Sequence, residues 1–168
     1  MSNVVLRTIL IGVGATLVMD AWAFVLRRLG IPSLDFALLG RWIGHLPQGQ
    51  WRHASIAKAT PVKGERLIGW SAHYAIGVTF AAVLLSTFGL RWARSPSLLP
   101  ALFIGIVTAV APLFILQPAM GAGMASSKTP RPVFNATKSL ITHTVYGFGL
   151  YFAALAAMWL LPAVAPLR

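Results

Sequence analysis

Few residues in this sequence can do chemistry, and their types narrow the choice at once. The chain has three acids, Asp20, Asp35 and Glu65, and four histidines, His45, His53, His73 and His143, but no cysteine. Without cysteine, disulfides, thiolate metal sites, thiol redox chemistry and lipid attached through sulfur all drop out. Any metal would have to be held by His, Asp, Glu or Met. Asp20, His73 and His143 interrupt stretches that are otherwise apolar. An ionisable group in such a stretch is expensive unless it meets a partner or a cavity, so these three, with Glu65 and Gln117, form the candidate ligand or proton site.

Three kinds of chemistry suit that set. Asp20, His73 and His143 supply a carboxylate and two imidazoles, a sensible ligand group for a divalent metal such as zinc, iron or manganese, although no His-Glu-x-x-His run is present. His73 and His143 on parallel helices could instead clamp a haem. The third choice is a path or binding site for a proton, an ion or a small molecule. A fourth reading involves no chemistry: the same side chains hydrogen-bond between helices and fix the packing of an accessory or assembly subunit. No nucleophile with a base and no phosphate-cradling glycine loop occurs at recognisable spacing, so no reaction is assigned and the cofactor is left open. Met120 and Met124 flank a Gly-Ala-Gly helix end rather than a copper site, and His45 and His53 read as interfacial residues.

The elements that must position these groups are apolar helices. The sequence is 57% hydrophobic and 10% charged over 168 residues, where a soluble domain has about 25% charged residues. Charge-free stretches run over residues 67–90, 95–127 and 139–167, each longer than the ~20 residues that cross a bilayer. A fourth, residues 8–26, lies between Arg7 and Arg27 and carries Asp20. It lacks a cleavage pattern and is expected to stay as a helix. The fold class is therefore an all-α integral membrane protein, a four-transmembrane-helix bundle in one membrane domain. The spans are expected at about residues 5–26, 67–90, 98–117 and 139–161, with a kink at Pro112 and an end at Pro118 in the third.

The net charge of +11 fits the same picture. The basic residues sit between the apolar stretches without a nucleic-acid-reading element, so nucleic acid is not an expected partner. Ten of the fourteen basic residues fall in segments 27–66 and 121–138. The positive-inside rule puts those segments in the cytoplasm and both termini outside. Arg27, Arg28, Lys128, Arg131 and Lys138 are expected to meet anionic lipid headgroups. A larger membrane protein or a second copy of the chain is the other partner considered. Within segment 27–66, Leu34, Leu38, Trp42 and Leu46 recur at helical spacing after Ser33, which predicts a short helix capped by Ser33, lying in the interface or packed as a lid.

Helix direction brings the polar groups to one side. Asp20 and Gln117 come near the ends of spans one and three, His73 and His143 near the starts of spans two and four. Asp20 is about 10 Å inside Arg27, and His73 about the same inside Arg66. Steps of four residues join Gly12, Thr16 and Asp20 in span one; Glu65, Gly69, His73, Gly77 and Ala81 in span two; and Ser139, His143 and Gly147 in span four. Small residues beside a polar one mark helix faces turned inward. The two hairpins also echo each other. Thr60-Pro61 precedes His73-x-x-x-Gly77 as Thr129-Pro130 precedes His143-x-x-x-Gly147, and Gly12 and Thr16 resemble Gly105 and Thr108. This suggests a parallel duplication.

The strings Met19-Asp20-Ala21-Trp22, Gly40-Arg41-Trp42-Ile43-Gly44-His45, Pro61-Val62-Lys63-Gly64-Glu65, Gly69-Trp70-Ser71-Ala72-His73-Tyr74 and Gln117-Pro118-Ala119-Met120-Gly121 give the sequence a resemblance to a family of small bacterial four-helix membrane proteins classed only as a domain of unknown function. The resemblance covers nearly the whole chain. It implies a bacterial inner membrane and names no substrate, cofactor or mechanism. The reading carried forward is binding or transfer of a proton, metal ion or small molecule at a cytoplasm-facing intramembrane pocket, with the accessory subunit as its alternative.

Overall fold

The apolar stretches become helices in the computed structural model, which describes residues 2–161. Helix α1 is Ser2–Arg28, α2 Phe36–His45, α3 Glu65–Arg94 and α4 Leu98–Thr108. A π-helical turn at Ala111–Leu116 then leads into the short α5, Gln117–Met120, and the last helix, α6, is Pro132–Leu160. No strand occurs among the described residues. Arg168, one of the basic residues counted at the termini, lies outside them.

Four helical stretches, Asn3–Arg28, Glu65–Arg94, Leu98–Met120 and Pro132–Leu160, are long and apolar enough to cross a membrane. In their most apolar windows only 28% to 33% of residues are buried. Most of their apolar surface therefore points outward, including Phe103, Ile115, Phe152 and Trp159. That arrangement suits hydrocarbon as solvent and would be costly in water.

Three local expectations are corrected. The helix in segment 27–66 forms, but Asp35 caps it rather than Ser33: the Asp35 carboxylate accepts from Ala37 N at 2.9 Å. Ser33 is engaged elsewhere, its hydroxyl accepting from Arg27 Nη1 at 2.9 Å. Nor does Pro118 end the third stretch. The π-helical turn before it carries a bond from Gln117 N–H to Pro112 O, one residue wider than an α-helical bond. This wider turn makes room for a ring that would otherwise clash with a carbonyl four residues back. The helix goes on to Met120 and stops at Gly121, which takes the left-handed conformation at φ 97°. Finally, α3 does not end at residue 90, where the second span was expected to end. It breaks at Gly89, with φ 73° and ψ 170°, and resumes to Arg94.

The chain packs as two compact units, each drawing on several helices. The first comprises residues up to Phe24, Tyr74–Val107 and residues from Thr142 onward. Its core includes Ile11, Ala15, Leu84, Tyr146, Leu150 and Ala154. Small residues let backbones meet directly. A Cβ on Gly12 would lie 2.5 Å from Val78 Cα, joining α1 to α3, and one on Gly105 would lie 2.5 Å from Gly147 Cα, joining α4 to α6. The buried Tyr146 hydroxyl donates to Gly77 O at 2.6 Å, tying α6 to α3.

The second unit comprises Val25–His73 and Thr108–Ile141. Here α2 lies directly on the first turns of α3, where Gly40 meets the Glu65 and Gly69 backbone and Gly69 meets Phe36 O. Leu39, Gly40 and His45 are the buried positions of α2, whereas Leu38, Trp42 and Leu46 are half-buried and Leu34 is exposed. The loop between α2 and α3 contains short 3-10 turns at Leu46–Gln48 and Ile56–Lys58. It is anchored by His53 N–H donating to Ala119 O at 2.8 Å.

Candidate functional site

In the first unit the α1 stripe faces α3. Thr16 donates to Gly12 O at 2.8 Å and packs against Gly77, and one turn on, Asp20 accepts from the Tyr74 hydroxyl at 2.9 Å. Asp20 is eight residues before Arg28, about 12 Å along the helix, and both it and Tyr74 are half-buried. Tyr74 escaped the sequence reading. The signal was present, because Tyr74 is three residues before Gly77 and so on the same side of α3.

His143, also in the first unit, is buried on α6. Its ring stands 6.5 Å from Phe80, edge-on at 60°, and 6.5 Å from Tyr146. Its main-chain carbonyl oxygen closes on Gly105, where a Cβ would come within 2.7 Å. The surroundings combine aromatic faces with close backbone.

The other predicted site residues belong to the second unit. His73 is 7% exposed and stacks on Phe36 at 4.0 Å and 26°, with Trp70 edge-on at 5.9 Å. Gln117 Oε1 accepts from the buried Ser126 hydroxyl at 2.9 Å. Glu65 is held by Arg41, whose Nε and Nη2 each donate to its carboxylate at 2.8 Å, while Val62 N–H adds a third bond at 3.0 Å. The remaining Arg41 nitrogen, Nη1, donates to the carbonyls of Ile56, Ala57 and Ala59 at 3.2 to 3.3 Å. One guanidinium thus fixes both the start of α3 and the turn that precedes it. The hydrogen bonds it donates to Glu65 raise the Arg41 pKa above its ordinary value, so the clamp keeps its charge. Arg41 was missed as a site residue because its partner is 24 positions away across a loop.

Among the described residues, no three His, Asp or Glu side chains gather in a group able to hold a metal ion. Of the residues assigned to lipid headgroups, Arg27, Arg28, Lys128 and Arg131 are exposed and Lys138 is half-buried. Arg27 bonds Ser33, and Lys138 donates to Pro32 O at 2.6 Å and lies 5.9 Å over the Phe134 ring.

A family model described as a protein of unknown function, DUF2938, matches residues 9–157. The chain belongs to this family. The match contains the second and third long apolar stretches and most of the first and fourth, and the family carries no assigned activity, as the resemblance in the sequence strings implied. No curated protein and no solved structure matches the chain.

Proposed function

We propose that the chain is a multi-pass membrane protein that binds and transfers a proton at Asp20, in the cytoplasm-facing half of the bilayer. The carrying observation is the Asp20–Tyr74 hydrogen bond between two helices that are each apolar enough to span. A carboxyl in that setting can take up or release a proton, and a phenol bound to it fixes its direction while remaining a donor to the ionised form. Polar and small residues continue the same face through Thr16 and Gly12. A metal-ion version has less support, because a three-ligand group is missing among the described residues. The family resemblance is the ground for reading the membrane as a bacterial inner one, and the bias of basic residues is the ground for reading both termini as outside. The hairpins are read as duplicated, since Gly12 against Val78 and Gly105 against Gly147 are like contacts in the two halves.

Purified protein in vesicles carrying an entrapped pH dye, with a potential imposed by potassium and an ionophore, tests the proposal. Wild-type vesicles should move protons faster than empty ones, Asp20→Asn should abolish the difference, and Tyr74→Phe should slow it several-fold. Flux unchanged in Asp20→Asn, or wild-type flux no greater than that of empty vesicles, refutes it. One observation favours a second reading, an accessory subunit of a larger membrane complex: the Tyr146 hydroxyl bonds a main-chain carbonyl, so at least one buried polar group here acts in helix packing alone. Recovery of a defined larger complex under mild detergent, combined with silent Asp20→Asn flux, would favour it.

A further inference from the structure

We propose that the loop between α2 and α3 forms a binding site for the phosphoryl group of a small anionic molecule, either a phospholipid headgroup or a soluble phosphate ester. This site lies wholly within the second unit and shares no residue with the Asp20 proposal. A half-open cleft of about 540 Å³ is lined there by His45, Gln48, Gln50, Lys58, Thr60 and Val62, among others. That volume is in the range of sites for small molecules, about 300 to 1,000 Å³, and far exceeds what one water or ion needs.

Its lining decides the ligand class. Lys58 brings a positive charge, Gln48 and Gln50 bring amide donors, and Thr60 brings a hydroxyl, with no acid in the lining. None of these four side chains bonds another part of the protein among the described residues, so their donors are available to a ligand. Residues 46–64 as a whole hold Arg52, Lys58 and Lys63 and no acid. The nearest acid in sequence, Glu65, is taken by Arg41. An anion thus meets donors and a positive field, whereas a cation would meet no compensating negative charge.

The cleft is also built rather than loose. Arg41 grips the carbonyls of Ile56, Ala57 and Ala59, the residues on either side of Lys58. Trp42 Nε1 donates to Trp51 O at 3.0 Å, and the His53 backbone is pinned to Ala119. His45 is 5% exposed and meets His53 Nε2 through its Nδ1 at 2.8 Å, which fixes the imidazole at the wall of the cleft. A loop this long between helices, held open around a donor-lined space, is pre-organised for a ligand.

The test is calorimetric titration of full-length protein in a neutral detergent with two probes, glycerol 3-phosphate and short-chain phosphatidylglycerol. Saturable one-to-one binding of either probe is expected. Lys58→Gln should weaken it at least about tenfold, the scale of a charge-assisted phosphate contact. Gln50→Ala should weaken it less, and Arg91→Gln, a matched loss of charge in the first unit, should leave it unchanged. Binding of the soluble probe alone assigns a phosphate ester, and binding of the lipid probe alone, or much tighter, assigns a headgroup. No saturable binding of either probe, or equal losses in Lys58→Gln and Arg91→Gln, overturns the proposal. Lys58 and Gln50 are exposed, so their variants should keep the wild-type helical content. The outcome is independent of proton flux.

Discussion

The contact of α2 with α3 gives a sharp test of the packing in the second unit. A methyl group added at Gly40 would lie 2.7 Å from both Glu65 C and Gly69 N, and closer still to Glu65 O. Ordinary contact begins near 3.4 Å, so clearing Glu65 C and Gly69 N alone parts the two backbones by about 0.7 Å, and clearing Glu65 O takes more. No side chain can rotate to absorb this, because all three atoms are main chain. Gly40→Ala should therefore fall in the upper part of the overpacking range, about 2 to 3 kcal/mol. Since 1.4 kcal/mol is a factor of ten, the population with α2 lifted from α3 should rise about 30- to 150-fold. The native chain has no cysteine, so a single Leu39→Cys reporter, at a position 3% exposed, can be labelled uniquely with a maleimide. In the slow-labelling limit, the rate reports that open population. Gly44→Ala is the internal comparison: its methyl would meet the Val62 side chain at 2.7 Å, which can turn aside for about 1 kcal/mol and a roughly fivefold effect. Labelling of Gly40→Ala within threefold of its parent, or no faster than Gly44→Ala, would refute the close approach.

Two further substitutions probe the first unit. Tyr146→Phe removes the buried donor to Gly77 O without opening much space, and should lower stability by about 1 kcal/mol in reversible unfolding in mixed micelles. An unchanged unfolding curve would mean that the bond does not contribute. Gly89→Ala should cost about 1 to 3 kcal/mol, because φ 73° with ψ 170° is a region that essentially only glycine enters, while an added Cβ would touch nothing. A neutral melt would argue that α3 runs through this position without its break.

Neighbouring residues and their order were enough to reveal much of this protein. The four apolar stretches could be read directly, because crossing hydrocarbon demands a continuous run of apolar residues, and such a run is a property of the chain rather than of its contacts. The inward stripe of Gly12, Thr16 and Asp20 was also legible, since a helix fixes which residues share a face, and these three do meet α3.

Tertiary structure decided what those faces touch. The partner of Glu65 is Arg41, and the hydroxyl on Asp20 belongs to Tyr74, 54 positions away. The face that Tyr74 shares with Gly77 was legible, but neither pairing itself has a local signature, because it depends on the path of a loop and the rotation of one helix on another. The cap of α2 fell to Asp35 because the helix starts at Phe36, three residues beyond Ser33. The third stretch ran past Pro118 because a π-helical turn widened ahead of the ring. The polar residues themselves could be listed from the sequence, but their partners could not: hydrogen bonds and ion pairs act over about 3 Å, and only folding sets distances on that scale between residues far apart in the chain.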